Sequence, residues 1–141
     1  MINSPGDRCQ VVGIGAGGHA RVVLEILQLT GVYDVIALLA KRHPGESSVS
    51  GVPVWEGDDD ELLLGCYQRG VRHAFIGIGS IGLTTLRTSL YAKAVGHGLQ
   101  IVQAVHPSAI VSPSVKLEDG VTIMAGAIVN VGVRLGSNVV I

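Results

Sequence analysis

The sequence predicts an α/β chain in two parts: an open parallel sheet with flanking helices over residues 9–105, then the start of a short-repeat solenoid over residues 106–141. Three observations carry this. Apolar runs of strand length alternate with helical stretches through the first hundred residues, the order expected of a parallel sheet with right-handed crossovers. Two strand-to-helix turns are rich in glycine, at residues 13–18 and 77–82. From Ala109 onward, large aliphatics recur every six residues, a period that suits neither an amphipathic helix nor a half-buried strand.

The first strand is expected over residues 10–14, an apolar run entering Gly13-Ile14-Gly15-Ala16-Gly17-Gly18-His19-Ala20. A helix with Val22, Val23, Ile26 and Leu27 on its apolar face follows, closed by Gly31 where a left-handed residue is wanted. Residues 35–39 form a second strand, apolar throughout because helices cover both faces. Asp58, Asp59, Asp60 and Glu61 place acid at a helix start, complementing the dipole, and that helix stops at Gly70. A third buried strand spans residues 73–78. The next helix carries Leu83, Leu86, Leu90 and Ala94 on one stripe and breaks at Gly96-His97-Gly98. Residues 100–105 make a fourth strand, with His106-Pro107 as its exit. The strands around Val35 and Phe75 should hold the core, with both glycine turns at the C-terminal edge of the sheet.

Val111, Leu117, Ile123, Val129, Leu135 and Ile141 form one uninterrupted series in the solenoid. Two residues earlier in each hexad run Ala109, Val115, Val121, Ala127, Val133 and Val139, with Gly120, Gly126, Gly132 and Gly136 between. Each short strand buries an aliphatic and the chain then turns a corner. Stacked repeats need about three or more units for a stable core, so the stretch ending on Val139-Val140-Ile141 reads as an interrupted solenoid with an apolar open edge.

Composition narrows the function. A net charge of −1 and 15% charged residues give no electrostatic case for nucleic acid or an anionic membrane. No apolar run approaches membrane-spanning length, and the start lacks the build of a signal peptide, which points to the cytoplasm. Cys9 and Cys66 read as two reduced cysteines, and no Cys/His spacing suggests a metal. Gly13, Gly15 and Gly18 satisfy the G-x-G-x-x-G spacing in a strand–turn–helix context, where backbone N–H groups can approach a phosphate. The acidic residue expected at the tip of the second strand is replaced by Ala40-Lys41-Arg42-His43. Those cations could accept a 2′-phosphate, which keeps an NAD(P)-binding oxidoreductase fragment open.

A glycine-rich sheet opening with Gly15-Ala16-Gly17-Gly18-His19-Ala20, a second turn at Gly77-Ile78-Gly79, then His106-Pro107-Ser108-Ala109 and hexads together resemble one family. It is the sialic acid O-acetyltransferase and nucleotide-sugar N-acetyltransferase family of bacterial surface-glycan pathways, and the resemblance spans residues 11–141. It implies a Rossmann-like sheet followed by the first coils of a left-handed parallel β-helix, which trimerises in that family. It implies acetyl-CoA as acyl donor and a UDP- or CMP-linked or free sugar as acceptor. The diphosphate would lie near Gly15, Ala16, Gly17, Gly18 and His19, with Gly77, Ile78 and Gly79 close by. UDP-sugar members often carry acid where this chain has Ala40 and Lys41, so ribose or uridine recognition there departs from the pattern. The family's catalytic histidine falls in repeats beyond Ile141, leaving no catalytic residue here and an acetyltransferase inactive as this chain. A non-catalytic nucleotide-sugar-binding module is the alternative. His19 is expected to contact phosphate or hold a structural bond, and His73, His97 and His106 to serve structure.

Overall fold

The computed structural model describes residues 8–79 and 84–141. Its first part is a six-stranded sheet of β1 (Cys9–Ile14), β2 (Tyr33–Ala40), β3 (Ser48–Val49), β4 (Val52–Glu56), β5 (His73–Ile76) and β6 (Gln100–Ile101). The order across the sheet is β3-β4-β2-β1-β5-β6. All neighbours are parallel except the β3–β4 hairpin. Helices α1 (Gly18–Thr30), α2 (Asp59–Gln68) and α3 (Thr84–Gly96) make the crossovers.

Alternation along the strands builds two cores. Val11, Leu38 and Phe75 face one way, onto Ala20, Val23, Leu24 and Leu27 of α1. Val12, Ala37, Leu39, Ala74 and Ile76 face the other way, onto Leu63 and Cys66 of α2 and Leu90 and Ala94 of α3. Successive side chains of a strand point to opposite faces, so a sheet covered on both sides is apolar at every position. Helix starts and stops follow the sequence. Asp58 caps α2, its carboxylate accepting from the N–H groups of Asp60 and Glu61 at 3.1 and 3.2 Å, and α1 ends at Gly31 with φ +70°.

Four sequence expectations change. Val22 is exposed, because α1 packs through the stripe of Ala20, Val23, Leu24 and Leu27. Leu86 is also exposed, and the inner stripe of α3 is Arg87, Leu90 and Ala94; Leu83 and Gly82 lie outside the described residues. The hairpin of β3 and β4 adds two strands that the sequence does not announce, with β3 at the edge. Finally, the expected fourth strand divides. β6 stays in the sheet, whereas β7 (Ala104–Val105) pairs with one of the repeat strands, at residues 122–123.

Those repeat strands are β8 (Ile110–Val111), β9 (Lys116–Leu117), β10 (Thr122–Ile123), β11 (Ile128–Val129) and β12 (Arg134–Leu135). The parallel pairs β7–β10, β8–β11 and β9–β12 join residues eighteen apart, so three hexads close one coil. Both aliphatic series point inward: Val121, Ile123 and Val129 are buried, with Val111, Val115, Leu117, Val133 and Leu135 against them. The corners need positive φ, which Gly120, Gly126 and Gly132 supply at +74°, +74° and +77°. The next corner in frame is Asn138 at φ +67°, not Gly136, since asparagine tolerates the left-handed region better than most residues. At the corresponding earlier positions Ser108 and Ser114 accept from the N–H groups of Gly126 and Gly132 at 3.1 and 2.9 Å, tying one coil to the next.

Arg87 fastens the coil to the sheet. Only 3% exposed, it donates to the carbonyls of Ile76, Ile78 and Asn138 at 3.2, 2.7 and 2.9 Å. Burial lowers its pKa to about 10.

Candidate functional site

The ligand edge of a parallel sheet lies at its strand C-termini, at the point where successive connections diverge. Here β1 is followed through α1 to β2 on one side, while β5 lies on its other side, so the crevice falls between the turns after β1 and β5. Both glycine turns sit there. The Gly77 N–H donates to Ile14 O at 2.8 Å, and the Gly15 N–H donates to Leu39 O at 2.7 Å. Gly15 has φ +108°, and a Cβ there would stand 2.9 Å from Ile78 Cδ1 and 3.0 Å from Gly77 O. Gly77 is equally constrained, with Ala20 Cβ 2.8 Å and Ile14 O 3.0 Å from where its own Cβ would be. These two glycines let the turns abut.

Gly17 and Gly18 differ. Gly17 is the N-cap of α1, without a side-chain cap, and the first turn of α1 carries no acid. A Cβ at either glycine would meet nothing within 4 Å. The first N–H groups of a helix have no partner within it, and no atom crowds these two glycines, as an anion-binding turn requires. Gly13, the first glycine of the sequence motif, has another job: it lies inside β1 against Phe75 and Leu38.

His19 stands half-buried in the first turn of α1, its ring 3.6 Å from the position of a Cβ on Gly79. Its Nε2 is buried and has no partner among the described residues. Burial, and secondarily the nearby Arg87 guanidinium, hold its pKa below the usual imidazole value of 6.5. The unfolded chain therefore takes up that proton first as pH falls, and the stability tied to neutral His19 is present above about pH 6.5 and lost below it. Thermal melts between pH 7 and pH 5 should fall more steeply for the parent chain than for His19→Gln; equal slopes would remove His19 from the acid response.

Three other histidines are engaged elsewhere. His73 Nδ1 lies 3.0 Å from Cys9 Sγ, and His97 Nε2 lies 2.9 Å from Asp60 Oδ1. His106 Nδ1 accepts from the Ser108 N–H at 2.9 Å. Both cysteines are free.

Gly15, Ala16, Gly17, Gly18, His19, Gly77, Ile78 and Gly79 are thus gathered at one edge. Beneath them a cleft of about 360 Å³ runs from Gly15 and Ala16 past Ile78 and Leu86 to Lys41, Arg42 and Asp59. A second cleft, of about 390 Å³, opens beside Gly17 and Gly18 and is bordered by Arg21, His43 and Ser48. The sequence places Asp59 only at a helix start. The missed signal is topological: β4 pairs with β2 so that Ala40 stands beside Glu56, which brings the start of α2 alongside the tip of β2. Asp59 lies 3.8 Å from Lys41 Nζ and 3.6 Å from Lys93 Nζ, with its side chain only 9% exposed. Lys41, which the sequence offered to a 2′-phosphate, therefore faces a carboxylate.

The chain is similar to known proteins over both of its parts. The model of the PglD N-terminal domain matches residues 10–93. A histidine variant of perosamine N-acetyltransferase from Caulobacter crescentus, solved with CoA and GDP-perosamine, is 39% identical at TM-score 0.80, covering 93% of this chain and 59% of that one. PerB from the same organism, solved with the same two ligands, is 37% identical at TM-score 0.75, with coverages of 94% and 62%. The acetyltransferase domain of PglB from Neisseria gonorrhoeae FA1090, in complex with acetyl coenzyme A, is 31% identical at TM-score 0.80, with coverages of 94% and 61%. No curated protein matches the chain. The chain spans about three fifths of the length of these solved relatives. Its architecture is theirs, a Rossmann-like parallel sheet leading into left-handed parallel β-helix coils. A match over most of the sheet domain, and over nearly the whole chain to the solved enzymes, places this protein in the nucleotide-sugar N-acetyltransferase family with a PglD N-terminal domain.

Proposed function

We propose that the chain is the sugar-nucleotide-binding part and first coils of an enzyme that moves acetyl from acetyl-CoA to an amino or hydroxyl group of a nucleotide-linked sugar. Residues 9–105 would hold the nucleotide-sugar and residues 106–141 would begin the donor half. The observation that carries the reading is the open glycine turn over Gly17 and Gly18, set at the sheet's switch point beside unpartnered His19 Nε2. The relatives' ligands, CoA and GDP-perosamine, support both substrates, and their names favour an amine over a hydroxyl acceptor. An oxidoreductase has no evident use for the hexads.

The reaction is direct. The acceptor amine attacks the thioester carbonyl, a C–N bond forms, the C–S bond breaks, and the CoA thiolate leaves while a base takes the amine proton. Gly15, Ala16, Gly17, Gly18 and His19, with Gly77, Ile78 and Gly79, would hold the diphosphate and the adjoining sugar; neutral His19 can donate one hydrogen bond there. The described histidines here are structural or phosphate-facing, so the base is assigned to no residue of this chain.

A homotrimer fits the outer face of the coils, where Ile110 and Ile128 stack in register, 65% and 71% exposed. Apolar residues displayed this way mark an interface. A cytoplasmic setting suits the two free cysteines. Among the described residues no helix is long and apolar enough to cross a membrane, and no cluster of acidic, His or Cys residues could hold a metal.

The test is paired. Calorimetry should detect nucleoside-diphosphate-sugar binding to the 141-residue chain, while an assay with acetyl-CoA and a panel of amino- and hydroxy-sugars should show no turnover. Turnover abolished by changing His19 or His106 would move the base into these residues and overturn the assignment.

A further inference from the structure

We propose that Asp59 is a specificity-determining residue of the cleft, its carboxylate receiving the two adjacent N–H donors of a guanine base. This rests on the nucleotide-sugar reading above and refines it from any nucleotide to a guanosine diphosphate.

Asp58, Asp60 and Glu61 fit the ordinary role of acid at a helix start, since they are exposed or capping. Asp59 does not. Its side chain is nine-tenths buried and lines the cleft, and a buried carboxylate is costly unless it is paired and hydrogen-bonded. Its two lysines stand at 3.8 and 3.6 Å, beyond hydrogen-bond reach, and no hydrogen bond to its side chain is found among the described residues. The acceptor is therefore available to a ligand.

The walls of the cleft decide the ligand's shape. Leu39, Ile78, Leu86 and Leu90 line it, an apolar slot with the Asp59 carboxylate, Lys41 and Arg42 on its border. A planar base has two apolar faces and a polar edge and fits such a slot, whereas a ribose diol would leave the apolar walls unmatched. Among the common bases, guanine alone presents two neighbouring ring-edge donors, N1–H and the 2-amino group, with the O6 acceptor beside them for a lysine. Adenine and cytosine would turn a ring-nitrogen lone pair toward the carboxylate. Uracil has a single N–H between two carbonyls. A site built to hydrogen-bond a donor pair rejects analogues lacking it, because its buried polar group is then left unpaired.

The experiment is calorimetry on the 141-residue chain with GDP, IDP, UDP, CDP, ADP and xanthosine diphosphate. GDP should bind at least about tenfold more tightly than UDP, CDP or ADP, and IDP, which lacks the 2-amino group, should fall between. Asp59→Asn should weaken GDP about tenfold or more and bind xanthosine diphosphate more tightly than the parent does, because the Asn amide can donate to the 2-carbonyl. That gain cannot come from misfolding. Equal affinity of the parent for all the diphosphates, or unchanged GDP binding by Asp59→Asn, would overturn the assignment of Asp59 while leaving nucleotide binding intact. So would a loss on 2′,3′-dideoxy-GDP matching the loss on Asp59→Asn, which would transfer the contact to the ribose. If no diphosphate binds the parent chain, the nucleotide reading itself fails and this inference with it.

Discussion

Replacing Gly17 with Val is expected to leave the melting temperature nearly unchanged and to weaken nucleotide-sugar binding well over tenfold, about 2 kcal/mol or more. Gly17 has φ −90° and ψ −159°, an extended conformation open to any residue, and a Cβ there meets no atom within 4 Å. The fold has little to lose, since exchanging glycine at an N-cap costs only some tenths of a kcal/mol up to about 1. The ligand has much to lose. A phosphate must approach the first N–H groups of α1 closely to use them, and two methyl groups on the N-cap stand in its path. Calorimetry with a GDP-sugar and a thermal melt on the same sample separate the two effects. Unchanged affinity would mean that the phosphates bypass the turn.

Replacing Gly13 with Val should do the reverse, destabilising the sheet domain by about 3 kcal/mol or more through overpacking. A Cβ at Gly13 would lie 2.7 Å from Leu38 Cδ2 and 2.8 Å from Phe75 Cε1. Both side chains are at most 1% exposed, in the core beneath α1, with no room to retreat. The midpoint of denaturant unfolding measures this. A midpoint close to the parent's would show that Phe75 can move aside. Gly13 and Gly17 belong to one glycine-rich turn, yet one is a packing glycine and the other an open one.

That division was hidden in the sequence because spacing cannot tell a glycine pressed against a ring from one facing solvent. Other elements were legible for local reasons. The caps at Asp58 and Gly31 depend on neighbours within one turn of helix. The hexads declared a solenoid because each unit repeats the same inward aliphatic, and the paired strands keep that register. Where local signals weakened, the reading slipped. Gly136 joins the recurring glycines in the sequence, although Asn138 holds the in-frame corner. The apolar run over residues 100–105 reads as one strand, but Val102 N–H still donates to Ala74 O in the sheet while Ala104 N–H already donates to Val121 O in the coil. Which partner a backbone finds is not written in its own side chains.

By itself the sequence determined the parallel α/β class, the two glycine turns, the six-residue solenoid and the family, since all of these rest on periodicity and short motifs. Tertiary structure alone decided what surrounds the turns. It inserted β4 beside β2, and so carried Asp59 from a helix start to the border of the cleft that holds Lys41. It also set Arg87 under both the glycine turn and the coil. The physical reason is that parallel pairing joins strands separated by a whole crossover, so the neighbours at a strand's tip come from distant parts of the chain.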